Sequence, residues 1–65
     1  MTAIDNKEIV RGSRKARVDH SVVNSSGEFG VFKHTFYMGR WYYDGCVEFP
    51  TYKEAVAYRD EWIGE

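Results

Sequence analysis

Arg40-Trp-Tyr-Tyr-Asp-Gly-Cys-Val-Glu-Phe-Pro-Thr-Tyr-Lys-Glu-Ala55 holds a turn signal, a strand and a helix start in one short run. Asp44-Gly45 suits a two-residue hairpin turn, because such turns need positive φ and Asp-Gly tolerates it. Cys46 to Phe49 then reads as a short strand, which Pro50 ends because it has no amide hydrogen to donate. Thr51-Tyr-Lys-Glu54 is a capping box, in which the Thr51 hydroxyl takes an orphan amide and Glu54 reaches back. A helix is predicted over residues 52–63, with Gly64 as its stop.

The pattern extends toward the N-terminus. Met38-Gly39 suits a second tight turn, and residues 28–37, rich in Phe, Val, Thr and Tyr, predict a strand. Asn24-Ser-Ser-Gly27 is a turn by composition. Before it, Ala16, Val18, His20 and Val22 alternate with Arg17, Asp19, Ser21 and Val23, the period of a strand with one buried face. Predicted strands therefore cover about 15–23, 28–37, 40–43 and 46–49. Residues 1–14 read as a mobile basic arm with at most one helical turn, started by Asp5 and stopped by Gly12-Ser13. The expected fold is α+β: residues 15–65 form one small domain, an antiparallel sheet of three to four strands packed on one C-terminal helix.

Sixty-five residues lie near the lower limit for a fold held by its core alone. Five Tyr, four Phe and two Trp supply large rings for that purpose. A net charge of −1 with 29% charged residues excludes the class of highly charged disordered tails. The single Cys46 excludes an internal disulfide and a cysteine-rich zinc site. A short chain without disulfides suits a reducing compartment. There is no apolar run of membrane-spanning length, and Met1-Thr-Ala-Ile-Asp5 lacks the order of a secretory signal. The expected location is the cytoplasm (that of the host, for a phage-encoded chain), with no membrane partner.

Register carries more information than the strand boundaries do. If both turns are two-residue hairpins, alternation places Phe29, Val31, Lys33, Thr35, Tyr37, Arg40, Tyr42, Val47 and Phe49 on one face, with Val18, His20 and Val22. Gly30, Phe32, His34, Phe36, Trp41, Tyr43, Cys46 and Glu48 fall on the other. On a helical wheel Tyr52, Ala55, Val56, Trp62 and Ile63 form an apolar arc opposite Lys53, Glu54, Asp60 and Glu61. One helix covers one face. The remaining face is expected to be a protein-partner or homodimer surface, unless the arm folds over it or a bulged turn re-sorts the faces. The expected partner-binding residues are Phe32, His34, Phe36, Trp41 and Tyr43. Asp60 and Glu61 join them, as acids set against the negative end of a helix dipole.

Between Lys7 and Arg17 five bases oppose one acid, Glu8, whereas from His34 onward six acids oppose three bases. The basic run Arg11-Gly-Ser-Arg-Lys-Ala-Arg17 is the strongest nucleic-acid signal. Arg59 falls in the apolar arc of the helix and is expected to stack on a ring or pair with a sheet carboxylate such as Glu48. Cys46 and His34 share a face but stand two strands apart in this register, too far for a thiolate–imidazole pair. His20 and His34 lie on opposite faces and share no metal. No catalytic, metal or cofactor motif is found, and the expectation is a protein that is not an enzyme.

Gly30-Val31, Trp41 in a central strand, and Phe49-Pro-Thr-Tyr-Lys-Glu-Ala55 followed by Ala57-Tyr58 carry a likeness to a known family. Over residues 30–60, about half of the chain, the sequence resembles the AP2 and integrase arm-binding type of DNA-binding domain. The resemblance implies a three-stranded antiparallel sheet on a C-terminal helix, with groove-reading roles for Lys33, Arg40 and Trp41. Two expectations follow. The leading one is a non-enzymatic binding module whose size suits a phage or mobile-element accessory protein that inhibits a host protein by surface occlusion. The alternative is a small DNA-binding factor using the sheet face and the arm, through Arg11, Arg14, Lys15, Arg17, Lys33 and Arg40.

Overall fold

In a computed structural model, which describes residues 4–21 and 28–64, four antiparallel strands follow one another in chain order and a helix closes the chain. The strands are β1 (Ile9–Arg11), β2 (Arg14–His20), β3 (Phe29–Tyr37) and β4 (Arg40–Phe49), and the helix is α1 (Tyr52–Gly64). The α+β class, a four-stranded antiparallel sheet with one C-terminal helix, is as expected. The four strands are not the expected four.

Asp44-Gly45 does not turn the chain. Both residues lie inside β4, where Phe32 pairs with Cys46 and His34 with Tyr43, so two residues of β4 oppose Lys33 alone. This is a β-bulge, and Gly45 carries it at φ +105°. Positive φ is what made Asp-Gly look like a hairpin. Tertiary pairing decides how that freedom is used. By running on past the bulge, the chain keeps β4 paired along β3 as far as Phe29–Phe49. Tyr43 and Cys46 remain on the same face either way, so the predicted sorting of side chains survives the corrected topology.

A second correction lies in the N-terminal segment. Ile9–Arg11 pairs with Arg14–Ala16 through a turn at Gly12, φ +59°, so part of the expected arm is a strand and no helical turn forms there. At its other end β2 stops at His20. The expected extension through Val22 and Val23, and the turn at Asn24–Gly27, lie outside the described residues. The Met38-Gly39 turn forms as expected, with φ +51° and +84°, the signature of a type I′ hairpin.

The helix begins at its predicted cap. Thr51 Oγ1 accepts the Glu54 amide at 3.2 Å and donates to the Glu54 carboxylate at 2.8 Å. Ala55 and Ile63 then meet Ala16, Val18 and Val31 of the sheet to form the buried core. Small residues at 16 and 55 let helix and sheet approach closely, while Phe29, Phe49, Tyr52, Tyr58 and Trp62 wall the sides. The last helical turn contains no basic residue. The sheet supplies one: Arg14 Nη1 donates to the Trp62 carbonyl at 2.7 Å and its guanidinium lies 5.0 Å from the centre of the Trp62 ring. That contact satisfies an orphan carbonyl and places positive charge at the negative end of the dipole. Arg59 pairs with the adjacent Asp60 at 2.9 Å and not with Glu48. Glu48 instead accepts the Ser21 hydroxyl across the sheet.

Candidate functional site

Since α1 covers the Val18–Val31 face, the left-over face is the one that carries Phe32 and Trp41. Its residues form a grid set by strand register. Nearest the β3–β4 turn, Phe36 lies beside Trp41; next come Val10, Lys15, His34 and Tyr43; then Arg17, Phe32 and Cys46; and last Asp19, Gly30 and Glu48. The end near the turn is aromatic and the far end acidic.

Neighbouring rings meet edge to face, Phe36 on Trp41 at 5.2 Å and His34 on Tyr43 at 5.4 Å. Two cations from β2 lie over rings of the same face. Lys15 Nζ is 4.6 Å from the centre of Trp41, and the Arg17 guanidinium 4.5 Å from Phe32. Phe32 is consequently only 7% exposed although α1 packs on the opposite side of the sheet. Gly30 makes this possible. An added Cβ there would stand 2.7 Å from Cys46 Sγ and 3.3 Å from the Phe32 ring, so both side chains lean into the space a larger residue would fill. What stays open is the outer part of the grid, with Phe36 43% and Tyr43 61% exposed.

The face is nearly balanced in charge. Lys15 lies 3.9 Å from Glu8 and Arg17 3.8 Å from Asp19, while Glu48 adds a further acid. Burial and the Glu48 carboxylate push the Cys46 thiol above its ordinary value, and Arg17 and Lys33 only partly oppose them. The thiol is thus held protonated, which works against a thiolate nucleophile. The hairpin register placed Cys46 two strands from His34. With β4 continuous it stands on the adjacent strand, one pair farther along, and His34 Nδ1 has no hydrogen-bond partner among the described residues.

The structure brings Phe32, His34, Phe36, Trp41 and Tyr43 onto this one face. Asp60 and Glu61 do not join them; they are exposed on the helix, which packs against the other side of the sheet. The six basic residues expected to contact nucleic acid are dispersed. Lys15 and Arg17 are on the open face, Arg40 closes the exposed β3–β4 turn, and Arg14 and Lys33 lie under the helix, where Lys33 Nζ donates to Tyr58 Oη at 3.2 Å. Arg11 stands beside Gly64 at the helix end. His20 stacks on Phe29, 5.3 Å away, on the helix side. Val10 also belongs to the open face, a place the sequence reading missed because its strand is three residues long.

Among the described residues no group of three or more His, Cys, Asp or Glu side chains is placed to hold a metal ion. No described helix is long and apolar enough to cross a membrane. No protein-family model, curated protein or solved structure matches the chain.

Proposed function

We propose that this chain is a non-enzymatic binding module whose open sheet face seats on a protein partner. One observation carries this reading: a continuous aromatic surface, on the side of the sheet opposite α1, whose two cations are already matched by acids of the same chain. Protein interfaces are anchored by aromatic residues and depleted of unpaired charge at their centres, whereas a phosphate-binding surface needs cations in excess. Phe36, Trp41 and Tyr43 are the anchors, and Lys15 and Arg17 stiffen the rings they cover. Occlusion of the partner's surface is the mechanism. Inhibition of a host protein, as by a phage or mobile-element accessory protein, is the biological form it takes.

The DNA-binding reading draws less support. Of Lys33, Arg40 and Trp41, the residues that the AP2-type resemblance implicates, only Trp41 is on the open face, and Lys33 is engaged with Tyr58.

Capture from a lysate with three baits tests the proposal: the unaltered chain, a Phe36→Ser/Tyr43→Ser variant, and an Asp60→Asn/Glu61→Gln variant. The expected result is a protein held by the first and third baits and lost by the second. Equal capture by all three baits overturns the assignment of the face. Binding of duplex DNA that weakens steeply with salt favours the alternative.

A further inference from the structure

β4 is one of the two outer strands of the sheet, and among the described elements it neighbours β3 and α1 alone. Ten residues long, it is the kind of edge that natural sheets protect with charge, proline or irregularity. Here Pro50 lies beyond its end and the bulge lies at Asp44-Gly45, so the segment Arg40–Tyr43 is regular and its outer edge pairs with no strand among the described residues.

The hairpin determines which backbone groups of that segment are free. A two-residue type I′ turn closes on Tyr37–Arg40 as a hydrogen-bonded pair. Alternation makes Phe36–Trp41 a non-bonded pair, Thr35–Tyr42 a bonded one and His34–Tyr43 a non-bonded one. The amides and carbonyls of Trp41 and Tyr43 therefore point outward, away from β3. The closest side-chain approach occurs in non-bonded pairs, and the edge-to-face contacts of Phe36 with Trp41 and of His34 with Tyr43 agree with this phase.

We infer that a second copy of the chain pairs with this edge, β4 against β4 across a two-fold axis at Tyr42. In that register Trp41 of one copy faces Tyr43 of the other, and their outward groups exchange hydrogen bonds twice over. Tyr42 meets its own counterpart on the axis. Arg40 falls opposite Asp44 at both ends. Both are exposed, and neither has an ion pair or side-chain hydrogen bond within its own chain among the described residues. The segment is thus self-complementary in backbone phase, ring pairing and charge. The product is an eight-stranded sheet whose two open faces join through Trp41 and Tyr43. The axis residue, Tyr42, is on the helix side of the sheet, so its substitution tests the dimer without altering the open face.

The test is the solution mass of the full chain by sedimentation equilibrium from about 1 μM to about 1 mM. A monomer–dimer equilibrium is expected, weakened about tenfold by Arg40→Asp or by Asp44→Arg, since each sets like charges opposite one another twice. The double variant Arg40→Asp/Asp44→Arg restores it, because the charges exchange places. Tyr42→Lys, which puts two ammonium groups on the axis, gives a folded monomer by circular dichroism and still captures a protein through the open face. A chain that stays monomeric over the whole range overturns the inference, as does a dimer that the double exchange fails to restore or that Tyr42→Lys leaves intact.

Discussion

Gly30 shows how one absent side chain organises the open face. It has no left-handed conformation to excuse it and is there for room: the Phe32 ring and the Cys46 thiol occupy the place of its Cβ. Gly30→Ala is expected to lower stability by roughly 1–3 kcal/mol, the usual cost of overpacking, measured by urea denaturation. Adding Cys46→Ala removes the nearest obstruction and recovers part of the loss. If Gly30→Ala alone leaves the midpoint unchanged, the ring and thiol are not held as described. Composition identified the rings as core material, but a glycine inside a strand is legible only as a weakening of that strand. Its use for close approach depends on which residue pairs beside it.

Among the elements, the β3–β4 hairpin carries a local conflict. Met38 takes φ +51°, a conformation that costs a residue with a Cβ about 1–2 kcal/mol, and it leaves a large apolar side chain 79% exposed. Asn-Gly is the usual solution for this turn. Met38→Asn is accordingly expected to raise stability by about 0.5–1 kcal/mol, visible as a higher urea midpoint with an unchanged slope. An unchanged or lower midpoint would contradict the type I′ assignment. The helix is the opposite case, since its cap and apolar arc agree with its sequence and it forms where the sequence places it. Asp60 and Glu61 looked misplaced at a helix C-terminus. The conflict is eased from the sheet, where Arg14 supplies the positive charge the helix lacks.

For the whole molecule, the small core makes each covering strand matter. Ile9 packs against the buried cluster, and β1 shields the edge of β2. The segment before β1 is tied as well, because Tyr52 Oη donates to the Asp5 carbonyl at 3.2 Å. Removal of residues 1–11 is expected to lower the melting temperature by several degrees, roughly the effect of 1 kcal/mol or more in a domain of this size. A separable arm would make the deletion neutral, and thermal unfolding of the truncated chain decides between these outcomes.

The fold class, the helix with its Thr51 cap, and the division of Phe32, His34, Phe36, Trp41 and Tyr43 from Val18, Val31, Val47 and Phe49 are legible in residue order alone. These follow from period, capping chemistry and alternation, which act over a few residues. Long-range pairing and packing were needed to make Asp44-Gly45 a bulge and Ile9–Arg11 a strand, and to select the face that the helix covers. Local φ preference is the same for a bulge and a hairpin, and three residues are too few to show a period. The choice of face rests on packing between distant residues, where Ala16 and Ala55 let the helix close over Val18 and Val31 and leave the Trp41 face in the open.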